Sequence, residues 1–226
     1  MSEFGDSTLS LINKVLDDGA QHIVVLMRHS AREFIEGKND MLNPLTDEGR
    51  ELALRLGRLL PKSLLVRSYA SPVERCIETA ELILRGHDKE GGATTRNRPI
   101  EALGVFYILD QMRWYMAMRD NGGMVSTLGR WFEGKIPVDV MMPPDQAAEL
   151  IFKVAAGKLD HPIQVPQLDV LVSHDMTVFT VRDRLLNQIV VDYPVEFLDG
   201  LVIFEKNGKR FLQSHHGPAR DIPMSS

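Results

Sequence analysis

Two histidines, each beside charged neighbours, are the residues whose types and spacing could do chemistry. Arg28-His29-Ser30-Ala31-Arg32 directly follows one apolar run, and Ser173-His174-Asp175 directly follows another. A third cluster, Ser71 to Arg75, lies between them. Three arginines and two histidines around one crevice would each lose hydration worth several kcal/mol unless an anion compensated them. A phosphate dianion suits the role. The planar guanidinium donates bidentately to phosphoryl oxygens, and a helix beginning after His174 adds its positive end. Phosphoryl transfer needs a nucleophile, charge neutralisation and a proton for the leaving oxygen, and these residues supply all three with no metal and no cofactor. His29 is the expected nucleophile, kept neutral near pH 7 by Arg28, Arg32 and Arg75. Asp175, acting protonated, is the expected general acid.

The elements that must position these groups are legible around them. His22 to Met27 (HIVVLM) and Leu168 to Val172 (LDVLV) are short runs rich in β-branched residues, the pattern of strands buried on both faces. Ser63 to Ala70 also has strand character, and Ser71-Pro72 offers a helix N-cap with proline at the first helical position. Helical spacing is expected over Thr8–Asp17, from Thr46 to Leu60, from Ser71 to about Arg85, and over Met176–Leu186. Glu33–Pro44 and Gly86–Arg98 read as polar connections. Asn207-Gly208 between two apolar runs predicts a hairpin. Strands alternating with helices indicate a three-layer α/β fold. Its central sheet is mostly parallel, with helices on both faces and an antiparallel C-terminal hairpin. In such sheets ligands bind beyond the carboxyl ends of strands, where all three clusters fall.

These segments resemble the histidine phosphatase superfamily, whose fold is phosphoglycerate mutase-like. Arg28-His29-x-x-Arg32 and Ser173-His174-Asp175 match its motifs. Leu45-Thr46-Asp47-Glu48-Gly49 is similar to its Leu-Thr-x-x-Gly segment, and Ser71 to Ala80 (SPVERCIETA) to its Ser-x-x-x-Arg-x-x-x-Thr-Ala stretch. The resemblance implies a phosphohistidine on His29, a phosphate pocket of Arg28, Arg32, Arg75 and His174, and hydrolysis by water. The adjacent His174-Asp175 pair looks like the acid-phosphatase branch. The mutase-like branch places a glutamate elsewhere, and Glu101 is the alternative acid. Two residues depart from the pattern: Phe34 stands where the acid-phosphatase branch has proline, and Ser30 replaces the usual glycine. The Ser30 side chain would narrow the pocket or donate a hydroxyl hydrogen bond to phosphate.

Length and composition set the remaining bounds. At 226 residues, with 44% hydrophobic and 25% charged residues, the chain is expected to form one globular domain, 1–226. The stretch 104–165, rich in Met and aromatic residues, is the expected helical insertion or lid. A net charge of −5 gives no global field for nucleic acid or anionic lipid, and no apolar stretch is long enough to span a membrane. The single Cys76 and a start without a signal-like segment fit a cytoplasmic protein. The insertion carries six Lys or Arg and seven Asp or Glu, so a small phosphorylated substrate is expected rather than a highly charged one. Oligomeric state is not readable. Three other patterns carry less: Gly129 to Ile136 lacks the Ser or Thr of a nucleotide loop, His87-Asp88 with His174-Asp175 is a rival set of metal ligands, and His215-His216 are expected to be exposed. The reading is a metal-independent phosphomonoesterase. Its alternatives are a non-catalytic phospho-ligand module, with Ser30 blocking in-line attack, and a phosphomutase using Glu101.

Overall fold

The computed structural model describes residues 3–35 and 40–223, so residues 36–39 of the polar connection expected over 33–44 fall outside it. In chain order the elements are helix α1 (Asp6–Asp17), strand β1 (His22–Arg28), α2 (Asp47–Leu59), β2 (Leu65–Ala70), α3 (Glu74–Lys89), β3 (Ala93–Thr94) and β4 (Arg98–Pro99). These are followed by α4 (Gln111–Asp120), α5 (Met124–Phe132), α6 (Pro144–Ala156), β5 (Gln167–Ser173), α7 (Asp175–Leu186), β6 (Gly200–Lys206), β7 (Lys209–Gln213) and β8 (Arg220–Asp221). The strands form one sheet in the order β3-β2-β5-β1-β6-β7-β8, with β4 also on β2. Strands β1 to β5 pair in parallel, and β6 to β8 complete the sheet antiparallel. The expected architecture is present, with Asn207-Gly208 turning the β6–β7 hairpin.

The apolar runs are continuous because each strand feeds two cores. Along β1, Ile23, Val25 and Met27 enter a cluster with α1, α2 and α3, whereas Val24 and Leu26 enter one with α4 to α7. Successive side chains point to opposite faces, so a strand covered on both sides is apolar at every position. The stretch 104–165 contributes α4, α5 and α6, whose Trp114, Trp131, Ile151 and Phe152 line the second core. Gly129 lies inside α5, so its segment forms no phosphate loop.

Several boundaries differ from expectation. Val73, not Ser71, caps α3, which runs on to Lys89, and two short strands occupy the connection expected to be polar. Helix α7 is buried from Met176 to Asp183 rather than amphipathic, packed on β1 and β6 of the sheet and covered by α6. His87 is a core residue whose Nε2 bonds the Leu64 carbonyl at 3.0 Å. In the tail His215 is exposed, while His216 is half-buried against Tyr193.

Candidate active site

Sheet register brings the clusters together. Arg28 at the end of β1 is level with Ser173 at the end of β5, and Val172 is level with Ala70 at the end of β2. His29, Ser71 and His174 each stand one residue beyond these ends. Backbone bonds continue the ladder past them, His29 N–H to Ser173 O at 3.0 Å and Ser71 N–H to Val172 O at 2.9 Å. The site clusters thus gather just beyond the carboxyl ends of the parallel strands, where the pairing stops.

His29 is 2% exposed. Its Nδ1 lies 2.8 Å from the Ser30 carbonyl, and its Nε2 lies 2.9 Å from Arg75 Nε. A carbonyl can only accept and a guanidinium can only donate, so these partners assign a neutral ring with its proton on Nδ1 and its lone pair on Nε2. Burial, followed by the charge of Arg75, holds the His29 pKa well below 6.5. His174 is fixed in the opposite tautomer. Its Nδ1 faces Arg75 Nη2 at 3.5 Å, which leaves the proton on Nε2, 3.0 Å from Ser71 Oγ. Burial, reinforced by Arg75, brings its pKa down to about 4.

The arginines divide between two sides of His29. Arg28 Nη1 donates to the Val195 carbonyl at 2.6 Å, its Nη2 lies 3.0 Å from Asp175 Oδ2, and its guanidinium sits 4.1 Å from the Phe197 ring centre. Asp175 Oδ1 also accepts from Met176 N–H at 2.8 Å. On the other side, Arg32 and Arg75 share Asp40: Arg32 Nη2 to Oδ1 at 2.7 Å and Arg75 Nη2 to Oδ2 at 3.5 Å. The structure therefore gathers His29, Arg28, Arg32, Arg75, His174 and Asp175, with the three arginines paired to the carboxylates of Asp175 and Asp40.

Two expected members are placed otherwise. Ser30 Oγ donates to the Gly49 carbonyl at 2.7 Å, and Ser30 N–H donates to Thr79 Oγ1 at 3.1 Å. Its hydroxyl proton is already used at the start of α2, so neither the narrowed pocket nor the hydroxyl bond to phosphate fits this geometry. Arg75 Nε, not Ser30, covers the His29 lone pair. Glu101 is exposed on a 3₁₀ turn after β4, and its carboxylate makes no hydrogen bond or ion pair among the described residues. That turn still adjoins the site, since Ser173 Oγ donates to Leu103 O at 2.7 Å.

Asp40, Phe197 and the Val195 carbonyl were not anticipated. Asp40 was one polar residue in a polar loop, and a backbone carbonyl leaves no sequence signal at all. Ser71 lies inside a recognised motif, and its Oγ serves both the helix start, 3.5 Å from Val73 N, and the ring of His174 at 3.0 Å. The described residues contain no group of three or more His, Cys, Asp or Glu able to hold a metal. No helix among them is long and apolar enough to cross a membrane. A cavity of about 330 Å³ between α6, the end of α7 and β8 includes none of the site residues.

The fold is that of the phosphoglycerate mutase-like α/β proteins, and at its strand ends this chain places a histidine among arginines. Residues 24–101 match the model of the histidine phosphatase superfamily (branch 1), a span holding His29, Arg28, Arg32 and Arg75. The chain is thus similar to that superfamily in sequence over this span and in fold over most of its length. A phosphoserine phosphatase mutant from Entamoeba histolytica, solved with phosphoserine, superposes with a TM-score of 0.55 at 16% identity, covering 85% of this chain and 95% of that one. A phosphoglycerate mutase from Bacillus anthracis gives 0.53 at 20% identity, covering 87% and 94%. A mycobacterial hydrolase gives 0.53 at 15% identity, covering 90% and 98%. No curated protein matches the sequence. The acid-phosphatase reading of the His174-Asp175 pair draws no support from these comparisons.

Proposed function

We propose that the protein is a metal-independent phosphomonoesterase acting on a small phosphoester through a phosphohistidine on His29. One observation carries the reading: a buried neutral histidine whose Nε2 lone pair faces the arginine side of the pocket, with Nδ1 tied to a carbonyl. In the first step the Nε2 lone pair forms a bond to phosphorus and the bond to the ester oxygen breaks. The leaving oxygen takes a proton from the acid. Water then attacks phosphorus, the same carboxylate accepts a proton, and inorganic phosphate and free His29 result. Arg28, Arg32 and Arg75 supply donors for the phosphoryl oxygens, and His174 adds one when it takes up a proton on Nδ1.

Asp175 is the assigned acid because it stands at the start of α7 beside Arg28 and His174. Glu101 is the second reading, favoured by the donors on both Asp175 oxygens in the resting site and by its own unengaged carboxylate. Hydrolysis of p-nitrophenyl phosphate from pH 4 to 8 in excess EDTA tests the proposal. The parent chain is expected to turn over and His29→Ala to be inactive, while EDTA-sensitive turnover or activity retained in His29→Ala overturns it. Removing the true acid costs about 10²- to 10⁴-fold on alkyl phosphates and far less on p-nitrophenyl phosphate. Asp175→Asn is expected to show this pattern, and its appearance in Glu101→Gln instead reassigns the acid. A mutase would release little inorganic phosphate unless a second acceptor were absent.

A further inference from the structure

In the described structure the pocket proposed for phosphate already holds an anion of the chain itself. Asp40 places one carboxylate oxygen on each of two arginines, Oδ1 at 2.7 Å from Arg32 Nη2 and Oδ2 at 3.5 Å from Arg75 Nη2. This is how a phosphoryl group would bridge them. The Asp40 backbone carbonyl accepts from Arg75 Nη1 at 2.8 Å, and Asn43 Nδ2 donates to Oδ1 at 3.3 Å. With its η nitrogens held there, Arg75 keeps Nε on the His29 lone pair. One contact thus fills the pocket and covers the nucleophile.

We propose that Asp40 is an intramolecular competitor of the substrate phosphoryl group, which enters by exchanging with this carboxylate on Arg32 and Arg75. The inference rests on the assignment of those arginines to phosphate. Three features make Asp40 displaceable rather than structural. Its side chain is 52% exposed, the 3₁₀ turn Asp40–Leu42 buries none of its residues, and Arg75 retains the Asp40 backbone carbonyl when the carboxylate leaves. A phosphate dianion carries twice the charge of the group it replaces and has oxygens enough to bridge both arginines. Its arrival would draw Arg75 off Nε2 as it displaces Asp40.

The test measures inorganic phosphate binding by calorimetry and as inhibition of p-nitrophenyl phosphate hydrolysis. In Asp40→Asn, which keeps the shape of the side chain and its backbone bond to Arg75, phosphate is expected to bind about three- to fivefold tighter, the size of a part-exposed ion pair. kcat/KM is expected to rise by a similar factor. Asp40→Ser, also uncharged, gives the same answer if the asparagine variant folds poorly. Asp47→Asn removes an exposed carboxylate paired with Arg50 and controls for the general field, with no change expected. Unchanged or weaker phosphate binding in both Asp40 variants overturns the proposal. A lower kcat/KM also overturns it and makes Asp40 a positioning residue for Arg75. If neither parent nor variant binds phosphate or turns over, the phosphatase reading itself falls.

Discussion

The two site histidines are held neutral by burial and then by a shared neighbour, Arg75, which contacts the Nε2 of His29 and the Nδ1 of His174. Both rings carry pKa values below the ordinary 6.5, His174 at about 4. The unfolded chain protonates them as pH falls through 6.5 while the folded chain does not, so the stability they contribute is complete above that pH. It declines toward pH 4, by up to about 1.4 kcal/mol per pH unit for each ring. His216, also at about 4, adds to the slope. The urea midpoint is therefore expected to drop between pH 7 and pH 5, less steeply in His174→Gln. A midpoint flat over that range would mean the rings are protonated in the folded protein. For the rate, kcat/KM is expected to show no falling limb near 6.5, because His29 remains unprotonated there. The residue types of this site were legible from sequence; the tautomers were not, since they depend on which donor each ring nitrogen meets after folding.

At the scale of elements, the site is held by close approaches that glycine permits. A Cβ on Gly57 of α2 would lie 2.0 Å from the Ile83 carbonyl oxygen of α3, and one on Gly86 of α3 would lie 2.2 Å from that of Leu54. These backbone contacts let α2 and α3 cross tightly, and α3 carries Arg75 in its first turn. Gly57→Ala is expected to destabilise by about 3 kcal/mol or more despite its better helix propensity. Gly129→Ala, in α5 with open space around it, is expected to stabilise by roughly 0.5–1 kcal/mol. Opposite shifts in thermal midpoint for the same substitution check the pair. A Cβ on Gly49 would lie 2.1 Å from the Ala31 carbonyl oxygen, so the start of α2 packs against the loop of His29 in the same way. β1, β5 and the hairpin could be read in advance because apolar runs and Asn-Gly depend on local chemistry. The α3 start could not: Ser71 favours a cap by type, yet the helix begins after Val73, and Ser71 Oγ is shared between Val73 N–H and His174, distant in sequence.

At the scale of the molecule, the sheet has ionic groups at both ends and apolar residues between. At the amino ends of the parallel strands Asp169, fully buried, accepts from Arg67 Nη2 at 2.7 Å and faces His22 Nε2 at 2.8 Å and Gln167 Nε2 at 3.2 Å. Asp169→Ala leaves Arg67 buried without its partner and is expected to cost about 3–5 kcal/mol. Because the cluster lies a strand's length from His29, kcat/KM per folded molecule is expected to stay within about twofold in the cold, where the variant remains folded. A large loss there would show that the two ends are coupled. The overall layers followed from the alternation of strand and helix, whereas the second core needed the structure, since 104–165 carries no simple period. The pairing of Arg32 and Arg75 with Asp40, and of Arg28 with Asp175, also shapes what an approaching anion meets. From a distance these are nearly cancelled charges on a chain of net charge −5, and paired charges project a field that dies away faster than bare ones. Capture then depends on collision at the pocket mouth rather than on long-range steering, so the encounter rate should respond little to added salt.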